Sequence, residues 1–228
     1  MDDELYIEQL EIGPMQNFTY IIGSKQTREV ALIDPAWEIE ALLEHVIEKR
    51  ELTPIAALAT HYHPDHIGGD MMGHSIEGVG KLLERQGMKV YAHREEGPGI
   101  RKVTGLSESD LKLVDSGDKL AIGEIEIEFL HTPGHTPGSQ CFKVKNTLVS
   151  GDTLFIQGCG RVDLPGSDPD AMYDSLKKLG ELPDDTILFP GHNYGGGPNA
   201  KMGDTKANNP YLRISNREMW REMMGTHS

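Results

Sequence analysis

Two cysteines in 228 residues are too few for a disulfide framework, and such usage leads us to expect a reducing, cytoplasmic compartment. Long apolar runs are missing too. The longest, Ile55 to Ala59, falls far short of the roughly 18 residues a membrane helix needs, and the opening MDDELYIE lacks the basic stretch that begins an export signal. Neither a membrane span nor a signal peptide is expected. Positive charge is scarce: 22 Lys and Arg stand against 36 Asp and Glu, a net charge of −14, which disfavours a general grip on nucleic acid or acidic lipid. Disorder is disfavoured because the 37% hydrophobic residues fall in periodic blocks. One sheet-rich domain over residues 1–228 suits this length.

The chain is rich in loop-shaping residues and histidine. Its 26 glycines amount to about 11%, above the roughly 7% of average proteins, and its 13 prolines cluster with them in TPGHTPGS, DLPGSDP and PGHNYGGGP. Of the ten histidines, His61, His63, His66, His131, His135 and His192 stand in or beside such turns. Shaped loops on a rigid scaffold are where function collects.

LYIEQLEI (5–12), FTYII (18–22) and EVALID (29–34) read as antiparallel strands separated by turn signals. From Glu38 to Arg50, Ile39, Leu42, Leu43, Val46 and Ile47 fall at the spacing of an amphipathic helix, with His45 on its polar side. A buried strand IAALAT follows, then HYHPDHIGGD, a glycine-interrupted helical stretch to about Gln86, and the strand MKVYAH. EIEIEF (124–129) alternates charged and apolar residues, as a strand with one wet face does. Next come a turn, the strands CFKVK and TLVSGD, and a loop to Ser167. Asp168 and Pro169 then open a helix with Met172, Leu176 and Leu179 on one face. DTILFP reads as the last strand, and Ser215 with Glu218 as the capping box of a terminal helix ending near Met224. His227 falls in the tail. This order suggests two packed sheets with helices outside, an α+β architecture.

His61, His63, Asp65 and His66 follow directly on a strand. Alternate side chains of an extended segment share a face, so His61 and His63 can grip one ion, while Asp65 and His66, turned by Pro64, reach a second. His135, Asp152 and His192 each stand at the end of a further strand. Together these five imidazoles and two carboxylates suffice for two borderline divalent ions with Asp152 bridging, each ion keeping an open position. His131, just before the TPGH turn, is a candidate for a supporting bond to a ligand.

THYHPDH (60–66), PGHTPGS (133–139), SGD (150–152) and PGH (190–192) stand in the order found in the metallo-β-lactamase superfamily, which the chain resembles over essentially its whole length. The resemblance implies an αββα sandwich of two mixed sheets with the metals at the strand ends. It also implies that His61, His63 and His135 hold one metal, that Asp65, His66 and His192 hold the other, and that Asp152 spans both. Two such ions lower the pKa of a shared water from about 16 toward 7, giving a hydroxide that Asp65 can orient at a carbonyl. No serine or cysteine nucleophile is then needed.

Departures narrow the branch. Zinc β-lactamases usually lack the bridging aspartate, quorum-sensing lactonases carry tyrosine where Phe155 stands, and flavin-linked relatives carry glutamate where His63 stands. GCGRVDL (158–164), HNY (192–194) and NPYLR (209–213) look most like glyoxalase II and the neighbouring persulfide dioxygenases. The first implies a two-metal hydrolase, most often zinc, acting on a small-molecule thiol conjugate or ester. The second implies one iron held by His61, His135 and Asp152. A non-catalytic binding module is a further reading, which the complete ligand set opposes. Cys159, Arg161 and Tyr194 are candidate substrate contacts. Lys201, Lys206 and Arg213 are the other cations available to a glutathione carboxylate.

Overall fold

The computed structural model describes residues 4–225; His227 lies outside them. β1 (Leu5–Ile12), β2 (Asn17–Ser24) and β3 (Glu29–Ile33) form an antiparallel meander. α1 (Ile39–Leu43) leads into a π-helical segment, Glu44–Lys49, and to β4 (Thr53–Leu58), which pairs parallel to β3. The widened π turn departs from the uniform helix expected over Glu38–Arg50. It carries Ile47 to 38% exposure while Ile39, Leu42, Leu43 and Val46 remain buried.

After β4 the chain makes the single helical turn α2 (Pro64–Ile67) and a small hairpin, β5 (Gly69–Met71) with β6 (His74–Ile76). α3 (Val79–Arg85) and β7 (Lys89–His93) follow. The hairpin stands where a glycine-interrupted helix was expected; Gly68, Gly69 and Gly73 all take positive φ, which breaks a helix. α4 (Gly97–Thr104), β8 (Leu111–Val114) and β9 (Lys119–Ile122) lie in a stretch without clear periodicity. β10 (Ile125–His131), β11 (Gln140–Val144) and β12 (Thr147–Gly151) follow, then α5 (Pro169–Gly180), capped as expected by Asp168, which accepts from the N–H groups of Asp170 and Ala171. β13 (Ile187–Pro190) is not the last strand: β14 (Ala200–Lys201) pairs with it before α6 (Met202–Asn208) and α7 (Arg217–Met224). The cap of α7 is Asn216, accepting from Met219 N at 2.9 Å. Ser215, expected in that role, instead turns its hydroxyl to the Met219 sulfur.

Among the described residues twelve of these strands form two six-stranded sheets, in the orders β1-β2-β3-β4-β7-β8 and β14-β13-β12-β11-β10-β9, and β5 pairs with β6 apart from them. Tyr20, Ile22, Ala31, Ile33 and Leu58 of the first meet Ile127, Phe129, Phe142 and Val149 of the second. The intervening Ile21, Val30 and Leu32 point outward beneath Ile39, Leu42, Val79 and Leu82, which is why β2 and β3 are apolar on both faces. On the other side Cys141, Leu148 and Leu188 lie under Met172, Leu176 and Trp220. The result is the expected αββα sandwich. No helix among the described residues is long and apolar enough to cross a membrane.

Candidate metal centre

One rim of the sandwich collects the seven candidate ligands. His61 follows β4, and His63, Asp65 and His66 are set on and before α2. His135 lies in the turn after β10, Asp152 directly after β12, and His192 just after β13. The ligand atoms of His61, His63 and His135 lie within 4.8 Å of one another, as do those of Asp65, His66 and His192. His135 Nε2 stands 2.9 Å from His63 Nδ1, and His66 Nε2 stands 3.1 Å from His192 Nε2. Asp65 Oδ2 is 3.4 Å from both Nε2 atoms of the second trio. Asp152 reaches both groups: Oδ1 is 3.4 Å from His66 Nε2, and Oδ2 is 3.4 Å from His192 Nε2 and 3.7 Å from His135 Nε2. Its carboxylate thus lies between the two trios.

Four of the five imidazoles, those of His61, His66, His135 and His192, are aimed by their other nitrogen. His66 Nδ1 donates to Asp34 Oδ2 at 3.0 Å, His135 Nδ1 to the Arg161 carbonyl at 2.8 Å, and His192 Nδ1 to the Met15 carbonyl at 3.0 Å. Thr60 gives its hydroxyl proton to Asp34, so its oxygen accepts from His61 Nδ1. The lone pairs on the opposite nitrogens are thereby turned toward the centre. His61 Nε2 and Asp152 Oδ1 are buried without a hydrogen-bond partner. Two buried polar atoms left without a partner are costly unless a cation satisfies them, so the donor set fits divalent metal. Asp34 also lies within reach of His61 and His66, but its oxygens already serve Thr60 N, Thr60 Oγ1 and His66 Nδ1. It orients ligands.

Electrostatics agree with this reading. Burial holds His61 well below the usual histidine range and lowers His63 to about 4, which leaves both in the neutral, ligating form. For His66 burial acts the same way, but Asp65, Asp152 and Asp34 outweigh it and raise the group to about 10. Burial alone would raise Asp152; the charges of His66 and His192 overcome it and hold that carboxyl well below its ordinary value. A metal held there would have to displace a proton from His66.

Glycine in GCGRVDL and PGH has a steric reason. A Cβ at Gly160 would lie 1.8 Å from the Asp152 carbonyl oxygen, and one at Gly191 would lie 2.3 Å from Asp152 Oδ1. Backbone alone fits against Asp152.

Sequence reasoning missed several supports. Asn17 Nδ2 donates to Asp65 Oδ2 at 2.9 Å, and Trp37 Nε1 donates to the Asp65 carbonyl at 3.0 Å. Trp37 holds a positive φ of 68°, unusual for so bulky a residue. Asp34, a lone charge closing the apolar strand VALI, was the one such residue with a local signal. Glu96 is fully buried, and its Oε1 accepts from Thr136 Oγ1 and Gly138 N, both at 2.7 Å. Burial pushes its carboxyl up to about 7, against these donors. A folded-state value above the unfolded one of 4.5 leaves stability intact below pH 4.5 and removes it as pH rises through 7. For metal-free protein, the stability advantage of Glu96→Gln over wild type should grow by about 3 kcal/mol between pH 4.5 and pH 8. Urea unfolding at several pH values reads this directly; a constant difference would mean that the carboxyl is unperturbed.

His131 does not support a ligand side chain: its Nε2 donates to the Pro137 carbonyl at 2.9 Å, and its ring stacks on His93 at 3.7 Å and 8°. His93, Glu95 and His131 are close enough for an ion. Lone pairs in two parallel ring planes do not converge on one point, however, so this trio is a stacking contact. Cys159 packs against the outer core of the second sheet, where burial raises its thiol to about 12. The Arg161 guanidinium makes two bonds to Asp163, at 2.9 and 2.8 Å, and it is the Arg161 carbonyl that serves the centre. Tyr194 stacks flat on His192 at 4.4 Å, half exposed, with its hydroxyl unbonded. Lys206 is tied to Asp184, and Lys201 pairs with Ile187 at the end of β13 remote from His192. Arg213 is exposed on the turn after Tyr211. His45 bonds Glu8 at 2.9 Å, on the outer face of the first sheet.

A two-sheet sandwich with a histidine- and aspartate-lined metal-binding site on one rim defines the class. The family model described as "Metallo-beta-lactamase superfamily" matches residues 12–192, and the chain belongs to that superfamily. It is 32% identical over 218 residues to "Probable metallo-hydrolase YqgX" of Bacillus subtilis, spanning 90% of this chain and 96% of that protein. It is 30% identical over 205 residues to human "Persulfide dioxygenase ETHE1, mitochondrial", spanning 88% of this chain and 73% of that one. Among solved structures, ETHE1 from Myxococcus xanthus superposes with a TM-score of 0.82 at 30% identity, covering 96% of this chain and 90% of its own.

Proposed function

We propose that this chain is a single-domain, cytoplasmic metallo-hydrolase of the glyoxalase II-like type. It would cleave the thioester or ester of a small-molecule thiol conjugate with two divalent ions, zinc in the first instance. The observation that carries this reading is the second trio. Asp65, His66 and His192 are brought together as closely as the first trio, and each has its own support in Asn17, Asp34 and the Met15 carbonyl. A one-metal reaction needs none of that construction. His61, His63 and His135 would hold the first ion, Asp65, His66 and His192 the second, and Asp152 both. The pair supplies a Lewis acid for the carbonyl oxygen and makes hydroxide available near neutral pH.

The remaining tasks fall to side chains. Asn17 fixes Asp65 by its Oδ2, while Oδ1 makes no hydrogen bond and is the candidate acceptor for the proton of the attacking water. The free Tyr194 hydroxyl, held beside the centre by its stack on His192, is the candidate donor to the substrate. The test is turnover of S-lactoylglutathione and a panel of thioesters and esters by zinc-loaded protein. Asp65→Asn should lower kcat on the order of a hundredfold with little change in KM. No turnover of any member of the panel would end the hydrolase reading.

A second reading draws on the similarity to the persulfide dioxygenase relative. It takes His61, His135 and Asp152 as the ligands of one iron, with a glutathione persulfide as substrate.

A further inference from the structure

The turn that supplies His135 rests against the corner between β7 and α4. Glu96, immediately before α4, is fully buried there and receives both Thr136 Oγ1 and Gly138 N on one carboxylate oxygen. Nothing wider than glycine fits between them: a Cβ on Gly138 would lie 2.7 Å from Glu96 N and 2.8 Å from its Cγ. The same corner backs the other loop of the first trio. A Cβ on Gly99 would lie 2.6 Å from the ring of Tyr62, the residue between His61 and His63. His131, through the Pro137 carbonyl, and His93, stacked on it, fasten the turn a second time.

The second trio is supported elsewhere, by Asp34, Asn17 and the Met15 carbonyl. Burying a carboxyl group among two donors is unfavourable unless the bonds it makes are needed, and the other oxygen of Glu96 has no partner at all. Both of the short hydrogen bonds to Glu96 Oε1 come from the His135 turn, and the backbone of Tyr62, on the His61–His63 loop, also acts on its carboxyl.

We propose that Glu96 is a positioning residue for the first metal site, setting the His135 turn against the His61–His63 loop so that their nitrogens meet at one point. His135 Nε2 and His63 Nδ1 are already 2.9 Å apart, and ligand sets tolerate displacements of only about 0.5 Å. The inference depends on the site holding metal and is independent of the reaction catalysed there.

Zinc affinity, measured by chelator competition on the full chain in two backgrounds, tests it without any assay of turnover. In His192→Ala only the first trio is complete, and in His135→Ala only the second. Glu96→Ala should weaken zinc binding about ten- to a hundredfold in the first background and leave it within threefold in the second. Glu96→Gln, which keeps the accepting oxygen, should restore affinity to within about threefold of its parent. Equal loss in both backgrounds, no loss in the first, or no rescue by glutamine would overturn the proposal. Should Glu96→Ala fail to give a native circular dichroism spectrum, Thr136→Val removes one donor from the same contact. A weakening confined to the first background supports the proposal, and its absence overturns it.

Discussion

Replacing Asp152 with alanine should empty both metal sites together, cutting affinity at each by at least about a hundredfold. The carboxylate stands between the trios, with Oδ1 3.4 Å from His66 Nε2 and Oδ2 facing both His192 Nε2 and His135 Nε2. On the proposed two-metal assignment, removing it would take a ligand from each site and delete an anionic charge that two divalent ions need in a buried setting. His135→Ala differs in kind, since His135 belongs to one trio and its loss should spare the second ion. Asp152→Asn separates charge from shape: if charge dominates, asparagine behaves like alanine. The measurement is elemental analysis of protein purified without chelator, where wild type should carry about two ions per chain and the alanine variant well under one. Full occupancy in Asp152→Ala would remove the bridge from the site and with it the two-metal assignment.

The candidate ligands were legible because each announces itself locally. His61 and His63 alternate at the end of an apolar strand, and His135, Asp152 and His192 each close a strand in a glycine turn. Their supports were not legible, because the partners are distant in sequence: 32 residues separate Asp34 from His66, 48 separate Asn17 from Asp65, and 40 separate Glu96 from Thr136. No periodicity links such pairs; only the closing of two sheets does. Within the fold, β2, β3 and β10 followed from burial pattern, whereas β8, β9 and β14 are short edge strands with exposed residues and carry little apolar signal. Arg161 illustrates a subtler limit. Its cationic side chain drew the substrate assignment, yet its carbonyl touches His135, and backbone roles leave no trace in residue type.

His192→Ala should decide between the two chemistries. His192 belongs to the second trio, 3.1 Å from His66 Nε2, and its own Nδ1 is fixed by the Met15 carbonyl, so the substitution removes one ligand while His61, His63, His135 and Asp152 remain. A hydrolase that uses both ions loses the charge that steadies the departing thiolate or the developing oxyanion. Thioester turnover should then fall on the order of a hundredfold or more even with the first site filled. A dioxygenase needs a facial triad with open positions, which His61, His135 and Asp152 can provide alone, and it should lose far less. His66→Ala makes an independent second case, although its bond to Asp34 couples it to Thr60 and so to His61. The cleaner variant is therefore His192→Ala, with iron content and oxygen uptake on glutathione persulfide measured beside thioester hydrolysis. We expect hydrolysis in the wild type, its collapse in the variant, and no oxygen uptake in either. One iron per chain with brisk oxygen uptake in both would assign the chemistry to the triad, leaving Asp65 and His66 without a catalytic task.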